Sequence, residues 1–353
     1  MSHRINGFQH IGVAVSDMDR SLKFYRKYLG LDIPFFDAVA PAALMLPYTR
    51  NEVITKRASM IMNLHGGCAM EVIRATSFEP KGADFQIQLG DLGIFITQVK
   101  CPDVQAMHAF CIAQSDIRVG SLRTRFDGTS TFFVQDPDGN YFQYVAGSGW
   151  YTKPKHRSGG VTACTIGVRD IATARKLYSD ILGYDKVVHE SQGRILEFEG
   201  LPGSDRNFHR VVLGQIAMPG GGFAKVTGET FIELVQDLDR TPKRMFDDRI
   251  WADLGFVHLG LDVRGMESLG ASLQQQNFGF TCDSRSALDM GNTKVHCTYI
   301  DDPDGTWIEL IEVHKVPIME KWGLYLDVAK RDPNKPLPDF MLKALRFSRI
   351  KDK

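Results

Sequence analysis

The chain repeats itself. Asp302-Pro303-Asp304-Gly305-Thr306-Trp307-Ile308-Glu309 is a near copy of Asp136-Pro137-Asp138-Gly139-Asn140-Tyr141-Phe142-Gln143. Each copy predicts a tight turn: proline fixes φ, aspartate side chains accept from nearby amides, and glycine takes a dihedral that other residues avoid. A strand follows, carrying Glu309 in one copy and its amide analogue Gln143 in the other. A carboxylate kept in one copy and neutralised in the other points to duplication followed by loss of one site.

Two further repeats extend this frame. Phe8 to Val15 reads as a strand, Ser16 or Asp17 as a helix cap, Leu22, Tyr25 and Leu29 as one apolar helix stripe, and Gly30 as its stop. The pattern recurs from Thr165-Ile166-Gly167-Val168 through Leu177, Tyr178 and Gly183, which aligns Thr165 with His10. Strand-like runs ending in Glu71-Val72-Ile73 and Glu233-Leu234-Val235 close these units. A second kind of unit opens at Gly90-Asp91-Leu92-Gly93 and again at Ala252-Asp253-Leu254-Gly255, and ends in the two Asp-Pro-Asp-Gly copies. The chain therefore predicts an α+β fold of four βαβββ units, near residues 5–75, 85–147, 160–237 and 250–313. They group as a first module (1–150), a second module (151–315) and a C-terminal arm (316–353). In that arm Trp322, Leu324, Leu326 and Val328 suggest a short helix, and 340–347 another, packing on the body or on a sister subunit of a homodimer.

Composition narrows the partners. The 353 residues suffice for about two domains, and 42 basic residues balance 42 acidic ones. No global field favours nucleic acid or an anionic membrane. Six cysteines without a CxxC pair read as reduced core thiols. With no apolar leader or membrane-length run, the expectation is a soluble cytoplasmic protein acting on a small molecule.

The first and last strands of the units hold the chemistry. Unit one offers His10 and Glu71, unit two Ile96 and Gln143, unit three Thr165 and Glu233, unit four His258 and Glu309. If units one and four share a sheet, two imidazoles and two carboxylates meet. That nitrogen–oxygen set suits one divalent ion: zinc, nickel, manganese, cobalt or ferrous iron. If adjacent units pair instead, His10, Glu71 and Gln143 fall in one half and Glu233, His258 and Glu309 in the other. The first pairing is favoured because it gathers the best ligands into one site. Carboxylates in apolar strands need a partner; a metal supplies one, and a buried arginine is the competing explanation.

These motifs resemble the vicinal oxygen chelate superfamily, which includes glyoxalase I, bleomycin-resistance proteins and extradiol dioxygenases. The resemblance rests on His10-Ile11-Gly12-Val13, Phe24-Tyr25, Leu29-Gly30, the parallel run from Thr165 to Gly183, Val257-His258-Leu259-Gly260 and both Asp-Pro-Asp-Gly turns. It implies paired βαβββ units curled into two cup-like mixed sheets, with His10, Glu71, His258 and Glu309 as metal ligands. It further implies chelation of two neighbouring substrate oxygens, with Glu309 or Glu71 carrying a proton in isomerase, lyase or epimerase chemistry. The alternatives are an iron-dependent ring-cleaving dioxygenase, which Tyr299 followed by Asp302 to Glu309 partly matches, and a non-catalytic binding or resistance protein. The stretch from Phe36 to Ser59 is a candidate lid, with Arg50, Lys56 or Arg57 meeting an anionic substrate, or else a solvated loop.

Overall fold

The computed structural model describes residues 3–218, 220–285, 288–290, 293–319, 324–327, 331–332 and 335–350. Unit one runs β1 (Arg4–Ala14), α1 (Met18–Leu29), β2 (Ile33–Pro41), β3 (Thr55–Met62) and β4 (Ala69–Ala75). Unit two comprises β5 (Gly93–Cys101), α2 (Val104–Ile112), the short β6 (Arg118–Val119) and β7 (Arg123–Thr124), β8 (Ser130–Gln135) and β9 (Tyr141–Ala146). Unit three follows with β10 (Val161–Gly167), α3 (Ile171–Tyr178), β11 (Lys186–Gly193), β12 (Phe208–Gly214), a single turn α4 (Ala224–Thr227) and β13 (Phe231–Asp237). Unit four holds β14 (Gly255–Arg264), α5 (Met266–Gln275), β15 (Cys282–Asp283), β16 (Leu288–Met290), β17 (Thr293–Asp301) and β18 (Trp307–Met319).

Units one and four form one sheet, ordered β15-β17-β18-β14-β1-β4-β3-β2, and units two and three the other, ordered β11-β12-β13-β10-β5-β9-β8-β6. Each sheet thus draws strands from both sides of residue 150. The seam of the first sheet is the antiparallel β1–β14 pair, flanked by parallel β1–β4 and β14–β18 pairs.

Strand alternation sorts the side chains into two environments. Ile11, Val13, Met70, Val72, Leu259, Leu261, Ile308 and Leu310 point into the main core, which also takes the buried faces of α1, α2, α3 and α5. The opposite face of the first sheet carries His10, Glu71, His258 and Glu309, walled by Ile73, Trp251, Cys297, Tyr299 and Trp307.

Local chemistry fixes the helices and turns. Asp17, Asp103 and Asp170 cap α1, α2 and α3, each accepting from the amide three residues on. Gly30 closes α1 at φ 64°. In the repeated turns Asp136 and Asp302 each accept from two backbone amides. A tyrosine from the preceding unit's helix donates to each: Tyr25 to Asp136 at 2.7 Å and Tyr178 to Asp302 at 2.9 Å. Neighbouring units are therefore bolted together through helix and turn, while the sheets join the units differently.

Two expectations change. A strand, β19 (Leu324–Asp327), pairs with the extended β18 where a helix was expected. The apolar spacing at 322, 324, 326 and 328 is period two, which belongs to a strand; Trp322 and Val328 lie outside the described residues. A helix, α6 (Asp339–Ala344), does form further on. The stretch from Phe36 to Ser59 is neither a free lid nor a solvated loop. It is the β2–β3 hairpin, and its tip (Ala43–Tyr48, a 3-10 turn) buries Met45 against the aromatic wall of the first cup. Arg57 is spent on Asp37 and Asp19.

Candidate metal centre

His10, Glu71, His258 and Glu309 each contribute one donor atom, and all four atoms lie within 4.8 Å of one another. His10 Nε2 stands 2.9 Å from His258 Nε2, 3.0 Å from Glu309 Oε2 and 3.8 Å from Glu71 Oε2. His258 Nε2 is 3.4 Å from both carboxylate oxygens. Donors about 2.0–2.1 Å from a common ion are separated by about 3.3 Å in a tetrahedral site and about 2.9 Å at octahedral right angles. Four of the separations, 2.9 to 3.4 Å, lie at or near that range, while the 3.8 Å from His10 to Glu71 exceeds it. The donor set therefore fits one divalent cation.

Ladder register explains the convergence. His10 pairs with Gly260, and Gly12 with His258. A methyl on Gly12 would come within 2.6 Å of the His258 ring nitrogens, and one on Gly260 within 2.9 Å of those of His10. Each glycine clears room for the imidazole of the other unit. Each also pairs with its own unit's glutamate, Gly12 with Glu71 and Gly260 with Glu309.

Neighbours orient the donors. Gln9 Oε1 accepts from His10 Nδ1 at 3.1 Å, which directs the Nε2 lone pair into the cluster. Cys297 Sγ donates to Glu309 Oε1 at 3.0 Å, leaving Oε2 for His10. The Trp251 ring lies parallel to the His258 ring at 6.5 Å. Burial opposes the charge on His10, yet the hydrogen bond and charge of Glu309 raise its pKa above the ordinary imidazole value. Burial likewise works against the carboxylates. The His258 charge and hydrogen bonds from His10 and Cys297 outweigh it at Glu309, which falls to about 2. Glu71 is lowered too, through His258 and the positive charge of Lys56. Without a metal the cluster is a compensated ion group, and a cation entering it must displace protons from nitrogen.

The second sheet answers differently. Thr165 pairs with Glu233 as Gly12 pairs with Glu71, and Gln98 pairs with Gln143 as Gly260 pairs with Glu309. The expected alignment of Thr165 with His10 is therefore shifted by two: Ala163 occupies the place of His10, and Ile96 that of His258. Gly167 shares the Ile-Gly-Val setting of Gly12 but not its role. It is glycine because a methyl there would strike the Asp91 carbonyl at 1.9 Å, not because an imidazole needs room. Glu233 is fully buried. It accepts from Thr165, from Gln98 at 2.9 Å and from Arg210, which also donates to Glu197 at 2.8 Å. The competing explanation for a buried carboxylate, an arginine partner, holds for Glu233. Arg210 was not singled out in the sequence; its only signal is a lone cation in the apolar run from Phe208 to Gly214.

A family model described as the glyoxalase/bleomycin resistance protein/dioxygenase superfamily matches residues 7–144. Among solved structures, glyoxalase I from Zea mays superposes with TM-score 0.55 at 16% identity, covering 88% of this chain and 92% of that one. A putative dioxygenase from Bacillus subtilis superposes with TM-score 0.56 at 14% identity, covering 99% and 98%. These likenesses establish the fold. No curated protein matches the sequence. Among the described residues, no helix is long and apolar enough to cross a membrane.

Proposed function

We propose, from a chain whose residues 7–144 form a domain of the glyoxalase/bleomycin resistance protein/dioxygenase superfamily, that it is a divalent-metal-dependent isomerase, lyase or epimerase of glyoxalase type acting on a small oxygenated substrate. His10, Glu71, His258 and Glu309 would hold the metal. The observation that carries the reading is the second carboxylate: Glu71 meets the same point as Glu309 and both imidazoles. A ring-cleaving iron oxygenase needs two histidines and one carboxylate with open positions, whereas proton-transfer chemistry needs a carboxylate to spare.

When bound, the cation supplies Lewis acidity to two neighbouring substrate oxygens and stabilises enediolate charge, worth several kcal/mol by the general rule. The protein's own groups divide the remaining work. Glu309 is engaged at both oxygens, by Cys297 and by His10, which suits a permanent ligand. Contacts to Glu71 fall on Oε2. Its other oxygen suits the shuttle that takes a proton from one carbon and returns it to the next. Glu71 is thus the proposed base and acid, and Glu309 the reserve for that role. Trp251, Tyr299 and Trp307 restrict water around the cluster.

Elemental analysis of protein purified without added metal, followed by catechol turnover with oxygen monitored, tests the reading. Zinc, nickel, manganese or cobalt near one equivalent with no oxygen uptake is expected. Ferrous iron with oxygen uptake would establish the dioxygenase instead, and no bound metal would favour a non-catalytic binding protein.

A further inference from the structure

The wall of the first cup holds two hydrogen-bond donors that the metal reading does not use. On β3, Lys56, Ala58 and Met60 pair with Ala75, Ile73 and Glu71, so Lys56 faces the same cup as the glutamate. Its ammonium lies 5.8 Å from the centroid of the Trp251 ring, and among the described residues it makes no ion pair. Trp251 is 2% exposed, and its indole Nε1 is buried with no hydrogen-bond partner among the described residues. Its backbone N–H, by contrast, is satisfied by Tyr48 at 2.9 Å. The same indole ring lies parallel to the His258 ring at 6.5 Å, which places the Trp251 side chain beside the candidate metal centre.

Buried N–H groups are almost always paired, and leaving one unpaired costs about 1–3 kcal/mol. Charge leads to the same conclusion. Glu71 and Glu309 together would neutralise a dication, which would leave the half-buried Lys56 ammonium on the cup wall without a carboxylate to offset it. The ammonium lies over the ring that carries the unpaired indole N–H, and two such donors on one wall suit the two oxygens of a carboxylate.

We propose that Lys56 and Trp251 form a carboxylate-binding subsite of the first cup, so that the substrate carries a carboxylate beside its two neighbouring oxygens. This deepens the metal reading and rests on it for the placement of those oxygens. Lys56 acts as a specificity-determining residue: it selects among chelating substrates by contact with their carboxylate and carries no proton itself.

Two measurements test it separately. In cobalt-loaded protein, 3,4-dihydroxybenzoate and catechol differ by one carboxylate, and calorimetric titration gives the affinity ratio. The wild type should favour the carboxylated probe by about tenfold or more. Lys56→Met should erase that preference while leaving catechol affinity within about twofold, and Lys56→Arg should restore most of it. An unchanged ratio in Lys56→Met, or no preference in the wild type, would overturn the subsite. The second measurement needs no metal: benzoate added to metal-free protein should shift the Trp251 indole N–H resonance, assigned with Trp251→Phe. A silent resonance overturns the subsite. Failure of the wild type to bind cobalt, with the resonance still shifting, overturns the metal reading alone.

Discussion

The two cups have the same strand plan and opposite solutions for a buried carboxylate. In the first, glycines at positions 12 and 260 leave space that His258 and His10 fill, and the glutamates meet imidazole nitrogens. In the second, the glycine positions hold Thr165 and Gln98, the histidine positions hold Ala163 and Ile96, and Glu233 is capped by Thr165, Gln98 and Arg210. The guanidinium is a cation tethered to β12, occupying the electrostatic role proposed for a divalent ion next door. The second cup therefore differs from the first by more than its absent histidines. Its glycine positions hold larger side chains, and a permanent positive charge offsets Glu233, because an isolated buried carboxylate is untenable.

The sharpest way to break this contrast is to remove one ligand from each cup. His258→Ala should abolish bound metal, measured as equivalents per chain, whereas Thr165→Ala should leave it intact. Arg210→Met should show the converse. Arg210 is 1% exposed between Glu197 and Glu233, and removing one partner of such a buried group costs about 3–5 kcal/mol. Urea denaturation should register that loss while metal content per folded chain is unchanged. A stable Arg210→Met protein would mean that the second cup does not depend on its tethered cation.

Smaller substitutions sharpen the comparison. Gly12→Ala and Gly260→Ala should each push an imidazole off its position and weaken metal affinity by about 10–100-fold, the range typical of altered ligand orientation. Competition with a chelator would measure it, and unaltered affinity would remove the glycines from the account. A gentler effect comes from pH. Glu309 raises His10 above the ordinary 6.5, so in metal-free protein the ring stays protonated above that value, and a metal must displace the proton. Affinity should rise with pH through the raised His10 value and fall by about tenfold per unit below it. The same shift stabilises the metal-free fold fully below pH 6.5, and this contribution fades as pH rises through the folded value. A pH-independent affinity between 6 and 8 would contradict the assignment of His10 as a ligand.

Repeats made the fold legible, since recurring caps, stripes and Asp-Pro-Asp-Gly turns are local devices that act wherever they occur. The four residues of the candidate centre were also legible, because imidazole and carboxylate recur at matching places in unit frames. What escaped was set by nonlocal register. Ile166-Gly167-Val168 looks like Ile11-Gly12-Val13, but the two glycines answer to different neighbours, a carbonyl in one case and an imidazole in the other. Only the strand ladder separates them. Arg210 and Trp251 lie on strands or connections whose facing direction depends on the closed sheet, so spacing along the chain does not mark their chemistry, while Lys56 stands out in the sequence only as one of three cations that could meet an anionic substrate.

The central claim is that one cation is held in the first cup by residues from the opening and closing units, and none in the second. An anomalous diffraction map recorded at the absorption edge of the native metal tests it directly. The account predicts a single peak within bonding distance of His10, Glu71, His258 and Glu309. A peak beside Glu233, or none among those four side chains in protein that carries metal, would contradict it.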